Sequence, residues 1–499
     1  MRAIGPGVGR VGIADVVEVA RNRALVAVAT VVIERLQRAR MLVDRAAHGD
    51  ELIYGVTSAL GANTGVALAP EERALYQVHA VRARAVGVGP AMAEDRVRAT
   101  MFARVAGMAQ GGSGVSLSVF SALVDALNRN VYPAVPAWGT ISVSDLPPLA
   151  HLALVLIGEG DAFVDGSRIP GAQALARAGL APVALRPKDG LALISANAAT
   201  VGSACLVLHD LAGALARFDD IVALSFEGFR ANLSPLAKHA QEARPAPGQA
   251  EAARRLLRAL DRSALAQPGA ARRVQDPLSF RCVAQVHGAA LDALARAVEH
   301  VEIELNAAAD SPLVDPESGT ISSNGNFHIP GFAIAHEALG LAVAQVAALA
   351  VERCIKLLSP ATSDLPLQLT RHGPQQSGFA TMQKTLTALL NDIRHLANPA
   401  CLDFLPVSER IEDHSPMAMQ CVTKLDAMRE RLDYVAAIEA VIAAQAVDLR
   451  VPDVRGTLGQ GARRVYDAVR ERAAFLDDDR PLGPDIDAVA AWLRAESRS

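Results

Sequence analysis

Apolar residues in the second half of the chain recur at helical spacing. From Gly190 onward they return every three to four positions, which places them along one face of an α-helix. Several of these stretches are almost continuous in Ala, Val and Leu, a pattern typical of helices buried on most sides. The pattern therefore predicts long helices over 191–224, 282–308, 330–358, 376–397 and 415–447.

The first part of the chain has a more broken pattern. Short apolar runs are separated by Gly-rich turns such as 111–114, and residues 162–170 alternate as in a β-hairpin. We predict a mixed α/β N-terminal portion over 1–200 and a helical portion over 201–499, folding together as one cooperative unit. Within the helical portion, residues 244–273 are rich in Ala, Pro, Gly and Arg, which predicts a mobile loop.

Composition narrows the possible functions. Hydrophobic residues make up 51% of the chain and aromatic residues 4%, a mixture that suits closely packed, Ala-rich helices. A formal net charge of −4 gives no attraction for nucleic acid or for an anionic membrane surface. The longest apolar segment, 338–351, is interrupted by Gln345 and is shorter than the roughly 18 residues of a membrane span. We therefore expect neither a nucleic-acid nor a membrane partner.

Cysteine and histidine usage excludes further classes. The five cysteines include no CxxC pair, which favours free thiols in a reducing compartment and predicts a cytoplasmic protein. The twelve histidines show no metal-ligand spacing, so we expect no metal site. No GxSxG nucleophile elbow and no P-loop occur in the sequence.

Four separated polar segments carry groups that could do chemistry. Their central residues are Tyr54 in a Gly-flanked loop, Arg281 after a polar turn that begins near Gln275, Phe327 in an Asn-Gly turn, and Glu412 before a Met-rich helix. Each segment taken alone has a structural explanation: a packed tyrosine, a capping arginine, a simple turn or helix-capping chemistry. None of them singly indicates a function.

Taken together with the segment WGTISVSDLPPLAH at 138–151, these segments resemble the histidine and phenylalanine ammonia-lyase family. The resemblance extends from about residue 13 to residue 447 and consists of ordered motifs. The matching motifs are YGV at 54–56, GVG at 87–89, DLPPLAHLALVLIGEG at 145–160, GLAL at 190–193, VQDPLSFRC at 274–282, GNFH at 325–328, SGF at 377–379 and EDH at 412–414.

The resemblance implies a mainly α-helical fold, a bundle of long helices with a mixed N-terminal portion. It also implies a homotetramer whose active sites draw on more than one subunit. Members of the family make an electrophile, a methylidene-imidazolone, from an Ala-Ser-Gly tripeptide just before the Asp-Leu of this segment. The middle serine loses its hydroxyl, and the small glycine lets its amide nitrogen attack the preceding carbonyl.

This chain departs from the family at that tripeptide. Aligned directly, the three residues are Ser142, Val143 and Ser144, and the middle one has no hydroxyl to lose. Shifted by one, the tripeptide ends in Asp145 in place of glycine. We therefore expect no methylidene-imidazolone and no other cofactor.

Three further departures lie in the motifs that surround the electrophile in the family. The Asn after GLAL is matched by Ser195, the Tyr of the DPYS motif by Leu278, and the His before GVG by Arg84. The family's base and carboxylate clamp remain, as Tyr54 and Arg281. A substrate with its own good leaving group suits this combination, because a quaternary trimethylammonium leaves as neutral trimethylamine.

Within the family's range this description is similar to the ergothionase group, which converts ergothioneine, the trimethylbetaine of 2-thiolhistidine, to thiolurocanate and trimethylamine. The resemblance then implies a role for each residue. Tyr54 is the general base, a role that needs positive charge nearby. A buried Lys384 stabilises negative charge on the thione sulfur, and Glu412 binds the imidazole or the cation. The substrate-binding residues are Arg281 on the carboxylate, with Arg84, Ser195, Gln275, and Phe327 and Phe379 as part of an aromatic cage.

Three alternatives stay open. The first is a conventional histidine or aromatic amino acid ammonia-lyase that acquires its electrophile by an unexpected route. The second is an inactive homologue with a structural or regulatory role. The third is a trimethylamine-lyase for another betaine such as hercynine, which lacks the sulfur. For Lys384, a lysine on the protein surface is as good an interpretation as a catalytic one.

Overall fold

The computed structural model describes residues 3–450 and 453–497 of the chain. Most of these residues are helical, so the predicted mainly α fold is confirmed. The helices are α1 (Ile13–Ala20), α2 (Thr30–Ala46), α3 (Arg73–Arg84), α4 (Glu94–Ala109), α5 (Leu117–Asn128), α6 (Leu146–Leu156), α7 (Gly171–Arg177), α8 (Asp189–Ile194), α9 (Ala198–Phe229), α10 (Lys238–Glu242), α11 (Pro247–Ala259), α12 (Leu278–Arg281), α13 (Val283–Leu305), α14 (Pro330–Leu358), α15 (Pro360–Ser363), α16 (Met382–Leu396), α17 (Ala418–Asp448), α18 (Gln460–Arg472) and α19 (Gly483–Ser497). Single turns of 3-10 helix lie at Gly61–Asn63, Ser234–Leu236, Ala264–Ala266, Leu367–Leu369, Gly373–Gln375 and Arg455–Thr457.

The strands are short and form four small sheets. Strands β1 and β2 pair in parallel, β3 pairs with β5, β4 with β6 and then β7, and β8 with β9, all antiparallel after the first pair. The predicted hairpin at 162–170 is present as β6 and β7. The strands are β1 (Ala3–Ile4), β2 (Leu25–Val26), β3 (Val88–Ala91), β4 (Tyr132–Pro133), β5 (Pro136–Trp138), β6 (Asp161–Val164), β7 (Ser167–Pro170), β8 (Leu313–Asp315) and β9 (Thr320–Ser322).

The described chain divides into two compact units. Unit 1 is built from the chain up to His209 together with Val298–Ile334 and Pro399–Val422, and it contains all the strands above. Unit 2 is built from Asp210–Ala297, Ala335–Asn398 and the chain from Thr423 onward. The sequence predicted a sequential division near residue 200. The observed units are instead discontinuous, because the segments carrying the GNFH and EDH motifs pack with the N-terminal part.

In unit 1, α3, α6 and α8 pack against one another. Helix α8 is buried along its whole length, and its Gly190 lies so close to α3 that a Cβ there would be 2.5 Å from the carbonyl oxygen of Gln77. A glycine is required by this approach, since any side chain would push the two helices apart. The GLAL motif of α8 is thus held rigidly between two other helices.

In unit 2, α11 packs against α10 and α18. The prediction of a mobile loop over 244–273 is wrong for this part, because Pro247 begins a helix at its first turn, where a missing N–H costs nothing. Helix α11 buries an apolar face that includes Ala252, Leu256 and Ala259. The many alanines and arginines that indicated a loop are the two faces of an amphipathic helix.

Two helical stretches, 189–229 and 330–358, are long and apolar enough to cross a bilayer by length and composition alone. The most apolar window of the first is entirely buried within the protein, and 61% of that of the second is buried. Core helices pass the same test of length and composition.

Candidate active site

The segment between β5 and α6 is a buried loop with unfavourable backbone angles. Ser142 and Ser144 both have left-handed backbones, with φ of 60° and 56°, and both side chains are buried. For residues with a Cβ this conformation costs roughly 1–2 kcal/mol each. The loop around Val143 therefore depends on its surroundings to hold its shape.

Asp145 is the centre of the hydrogen bonds that hold the loop. Its carboxylate accepts from the Thr140 hydroxyl at 2.9 Å, from the Thr200 hydroxyl at 2.8 Å and from the Thr200 backbone N–H at 2.7 Å. Complete burial raises the pKa of Asp145 to about 6, although these hydrogen bonds act in the opposite direction. Ser142 is fixed as well, because its hydroxyl lies 3.1 Å from that of Thr200 and accepts from the Met419 N–H at 3.0 Å.

The loop contacts the GNFH and EDH segments. Val143 forms an antiparallel bridge with His328, and the Asn197 side chain donates to the Phe327 carbonyl at 2.6 Å. His328 Nε2 lies 2.8 Å from His414 Nδ1, and the two rings meet edge to face. Burial and the neighbouring His414 lower the pKa of His328. The structure thus joins three segments that are far apart in sequence, and Phe327 in one of them is half-buried.

Tyr54 lies in a turn whose shape depends on Gly55. Gly55 has φ of +66°, and a Cβ there would be 2.4 Å from Leu191 of α8. Its carbonyl accepts from the Gln77 side chain at 3.2 Å, and the same side chain accepts from the Leu191 N–H. The phenolic oxygen of Tyr54 accepts from the Gly61 N–H at 3.2 Å, so the ring and its oxygen are fixed relative to α3 and α8.

Arg84 and Ser195 lie at the ends of the two helices beside Tyr54. Arg84 is in the last turn of α3, and its Nη1 donates to the Ala80 carbonyl at 3.1 Å. Ala80 packs in the same apolar cluster as Tyr54. Ser195 follows α8 directly, is buried, and donates its N–H to the Leu191 carbonyl at 2.8 Å. Both residues are therefore on elements that contact the Tyr54 turn.

Glu412 is half-buried at the end of a tight turn. Ser408 donates to its carboxylate at 3.1 Å, and Val407 forms an antiparallel bridge with it. The intervening Ser408, Glu409 and Arg410 all have left-handed backbones. The turn sets the direction of the EDH motif, which places His414 against His328.

In unit 2, Arg281 is the last residue of the short helix α12 and is half-buried. Its Nη1 donates to the side-chain oxygen of Gln275 at 2.8 Å, so these two predicted binding residues lie together. Asp276, next to Gln275, accepts from the Asn232 N–H at 2.6 Å and ties this turn to the segment that follows α9. The other carboxylate oxygen of Asp276 has no hydrogen-bond partner among the described residues.

Two expectations for unit 2 are corrected. Lys384 is exposed in the first turn of α16, because the buried stripe of that helix runs through Met382, Leu386 and Leu390 and leaves Lys384 outside it. Of the two interpretations of Lys384, the isolated chain therefore shows the lysine on the protein surface and not the buried one. Phe379 is 1% exposed and packs inside unit 2, so its ring does not line an open cage there.

Sequence reasoning missed several residues that hold this site. Thr200 and Asn197 lie in and just before the first turn of α9, directly after the GLAL motif, and the side-chain oxygen of Asn197 lacks a hydrogen-bond partner among the described residues. Two polar residues at the start of an apolar helix are the signal that was available. The contact between His328 and His414 had no local signal, because 86 positions separate the two.

One groove on unit 1 lies away from these residues. It has a volume of about 780 Å³ and is lined by Arg38, Arg40, Met41 and Arg186 among others, with no predicted site residue among the residues that line it. Within residues 3–450 and 453–497, no group of three or more His, Cys, Asp or Glu side chains is placed to hold a metal ion.

Comparison with known proteins gives consistent matches over nearly the whole chain. The sequence pattern of the aromatic amino acid lyase family matches residues 11–471. The chain is 37% identical over 479 residues to a histidine ammonia-lyase from Myxococcus xanthus, spanning 95% of this chain and 94% of that protein. It is 38% identical over 483 residues to a histidine ammonia-lyase from Gloeobacter violaceus, spanning 96% and 93%. The solved structure of the ergothioneine-degrading enzyme ergothionase from Treponema denticola, in complex with desmethyl-ergothioneine sulfonic acid, matches with a TM-score of 0.96 at 30% identity and covers 99% of each chain.

These relatives correct the expectation that the protein uses no cofactor. Histidine ammonia-lyases form a methylidene-imidazolone from a tripeptide of their own chain, so this electrophile is the group that the comparisons imply. The residues present at the position do not fit it. Val143 has no hydroxyl to lose, and the shifted tripeptide would need Asp145, whose carboxylate is held by Thr140 and Thr200. The comparisons thus favour a cofactor for which this loop lacks the usual residues.

The likeness extends well beyond the loop. The relatives match along the whole chain rather than at one motif, and the fold matches a solved member over its full length. Members of this family are carbon–nitrogen lyases, which describes the reaction class without fixing the substrate. The chain belongs to the aromatic amino acid lyase family.

Proposed function

We propose that this protein is a lyase that releases trimethylamine from a trimethylammonium betaine of histidine, with ergothioneine as substrate and thiolurocanate as product. The observation that carries the proposal is the loop at 142–144, where Val143 stands between two left-handed serines in place of the family's tripeptide. The likeness to ergothionase supports the same class of substrate. The proposed reaction is a carbon–nitrogen lyase reaction, as in the rest of the family, with trimethylamine as the leaving group.

The leaving group is the chemical reason. Elimination from an ordinary α-amino acid is difficult because the amine is a poor leaving group and the β-proton is weakly acidic. A quaternary trimethylammonium departs as a neutral amine once the electron pair of the broken C–N bond is left on nitrogen. It also has no N–H or lone pair with which to attack an electrophile. A trimethylammonium betaine therefore suits a loop that has Ser142, Val143 and Ser144 in place of the family's tripeptide.

The proposed step is a β-elimination with Tyr54 as the base. The Cβ–H bond breaks and its proton goes to the phenolate oxygen of Tyr54. The electron pair of that bond forms the Cα=Cβ double bond, while the Cα–N bond breaks and its pair leaves with trimethylamine. Tyr54 suits this role because the Gly61 N–H and the rigid turn at Gly55 fix the position of its oxygen.

The remaining roles concern binding and charge. Arg281, oriented by Gln275, binds the substrate carboxylate through two parallel N–H donors. Phe327 faces the trimethylammonium, because aromatic rings attract quaternary cations. Glu412 binds the imidazole ring, and Lys384 stabilises negative charge on the thione sulfur once a neighbouring subunit covers it. This role of Lys384 needs a homotetramer whose active sites are shared between subunits, and we propose that the protein forms one. We also propose that the protein is cytoplasmic.

Histidine is the second candidate substrate. It is favoured by the relatives, since those with the most similar sequences reported above are named histidine ammonia-lyases. Both candidates share an imidazole ring, a carboxylate and a β-proton, so Tyr54, Arg281 and Glu412 would have the same partners. The two differ only in the amine and in the sulfur of the ring.

The experiment that separates them uses four parallel incubations. Purified protein is mixed with ergothioneine, with hercynine, with histidine and with phenylalanine, and the absorbance of the conjugated acrylate is followed while released trimethylamine and ammonia are measured. The proposal expects acrylate and trimethylamine in equal amounts from ergothioneine. Ammonia from histidine, with no reaction of either betaine, would contradict it and establish the second candidate. Intact mass of the same preparation reports independently whether the chain has lost two waters.

A further inference from the structure

The short helix α12 carries Arg281 and is anchored on one side by an aromatic stack. Phe280 is the residue before Arg281. The centroid of its ring lies 4.0 Å from the centroid of the Phe229 ring, at an interplanar angle of 17°, and 5.6 Å from the centroid of the Phe226 ring. All three rings are buried. Stacking between buried rings fixes the position and orientation of the Phe280 ring. It leaves the helix free to tilt about that ring unless a second contact prevents it.

The second contact is made by Arg353 of α14. Its Nη1 donates to the carbonyl of Ser279 at 3.3 Å, two residues before Arg281. Another edge of the same guanidinium is paired with Glu439 of α17, Nε to Oε1 at 2.6 Å and Nη2 to Oε2 at 2.9 Å. Ser225 also donates to Glu439, at 2.7 Å. Both charged side chains have 0% exposure.

A buried ion pair of this kind is weak as a source of stability. Removing both charges from water costs about as much as their attraction returns, and apolar residues of similar size often serve equally well. The ion pair does, however, fix the orientation of the Arg353 guanidinium. The guanidinium is a planar fork, so two bonds to Glu439 fix the third donor, which points at the carbonyl of Ser279. The pair therefore sets where α12 lies.

We propose that Arg353 is a positioning residue for substrate binding: held by Glu439, it fixes α12 so that Arg281 meets the substrate carboxylate. The inference rests on the proposed role of Arg281. Arg353 itself is fully buried and acts only through the backbone of α12. Glu439 is also a positioning residue, because its carboxylate orients the guanidinium of Arg353.

The main test replaces the whole pair, Arg353→Met with Glu439→Leu, so that no charge is left buried alone. Misplacing a binding group by about 1 Å can cost on the order of 100-fold in rate or affinity. We expect KM for the substrate identified in the assay above to rise about tenfold or more, with a smaller change in kcat. Arg353→Lys keeps the charge but lacks the fork, and it is expected to give an intermediate KM; it also serves if the double variant does not fold.

A matched control is the pair Arg429→Met with Asp433→Leu. Arg429 and Asp433 are also buried in unit 2, with Nη1 2.8 Å from Oδ2, but they belong to the same helix, α17. Removing them perturbs a buried ion pair without removing a donor to α12. The control is expected to alter the unfolding temperature and leave KM unchanged.

A second readout is independent of activity. Hydrogen exchange of the peptide 275–282, measured by mass spectrometry on the full-length protein, reports on the amides of α12, including the Cys282 N–H that donates to the Leu278 carbonyl at 2.8 Å. Exchange is expected to be faster in both Arg353 variants and unchanged in the control pair. Unchanged exchange in the Arg353 variants would overturn the inference, and so would faster exchange with an unchanged KM. An Arg281→Ala variant with an unchanged KM would instead contradict the proposed function.

Discussion

Thr200 donates to both oxygens of Asp145, with its hydroxyl at 2.8 Å to one and its backbone N–H at 2.7 Å to the other. The two residues are 55 positions apart, and the contact joins the loop at 142–144 to the first turn of α9. Asp145 is fully buried; burial raises its pKa, and its hydrogen bonds from Thr200 and Thr140 lower it. Because this buried carboxylate is held by hydrogen bonds, its charge state should affect stability.

The first prediction is that Asp145 makes stability depend on pH. Its pKa is raised from 3.8 to about 6 in the folded protein, so the folded state keeps a proton that the unfolded state loses first. The stability contributed by this proton is present below pH 4 and is lost as pH rises to about 6. Relative to Asp145→Asn, the wild type should lose about 2 kcal/mol of unfolding free energy between pH 4 and pH 7. Urea unfolding at the two pH values measures this, with the exposed turn variant Asp165→Asn as control. Parallel pH curves for wild type and Asp145→Asn would contradict the prediction.

The second prediction concerns Tyr54 and uses Tyr76 as its match. Both phenolic oxygens accept a backbone N–H, from Gly61 at 3.2 Å and from Leu60 at 2.8 Å, and both rings pack against the same apolar cluster. Tyr54→Phe and Tyr76→Phe therefore remove equivalent hydrogen bonds, and each should cost about 1 kcal/mol of stability. If Tyr54 is the base, its replacement should lower kcat by about 100-fold or more, whereas Tyr76→Phe should leave it nearly unchanged. Steady-state assays of both variants decide this, and equal losses would remove Tyr54 from the mechanism.

Most of the fold was predictable from local pattern. The stretch predicted at 330–358 is helix α14 with the same bounds, because its apolar residues recur at helical spacing from one end to the other. The segment 244–273 was not predicted correctly, since Pro247 indicates a loop by composition but begins a helix when it stands at the first position. Whether Pro247 ends or begins a helix depends on its position relative to the helix start, which composition alone does not give.

The site was predictable only in part, because its contacts are long-range. The Tyr54 turn and the Gln275–Arg281 contact are local, and the glycine and proline spacing indicated both turns. The pairing of His328 with His414 depends on where two loops end, which no local pattern reports. Lys384 had two interpretations, a buried catalytic lysine or a lysine on the protein surface, and its helix favours the second. Met382 and Leu386 are four apart and lie on the buried stripe, and Lys384, midway between them, lies outside it.

The third prediction separates steric conflict from backbone strain in the Tyr54 turn. Gly55 and Gly61 both have φ of +66°, but a Cβ on Gly55 would be 2.4 Å from Leu191, whereas nothing lies within 4 Å of one on Gly61. Gly61→Ala should cost about 1 kcal/mol, the strain of the left-handed backbone alone. Gly55→Ala should cost about 1–3 kcal/mol more and lower kcat, because it pushes the Tyr54 turn away from α8. Unfolding and kinetic measurements on both variants test this; equal effects would show that contact with Leu191 does not hold the turn.

The fourth prediction concerns Asp219, a buried carboxylate in unit 2 that lies 3.3 Å from Arg255 and 4.0 Å from His287. Burial raises its pKa to about 7, with Asp220 and Glu251 adding to the effect, and burial lowers the pKa of His287 to about 3. His287 therefore stays neutral from pH 5 to pH 8, and only Asp219 titrates of the two.

Because the folded pKa of Asp219 is the higher one, its protonated form contributes stability that is lost as pH rises through about 7. Replacing it with asparagine removes that loss. The stability of Asp219→Asn relative to wild type should therefore be about 3 kcal/mol more favourable at pH 8 than at pH 5. Asp220→Asn is the matched control, since Asp220 is paired with Arg464 and is not buried in the same way. Denaturant unfolding of the three proteins at both pH values measures the difference, and a relative stability of Asp219→Asn that stays constant with pH would mean that the neighbouring Arg255 keeps this carboxylate ionised in the folded protein.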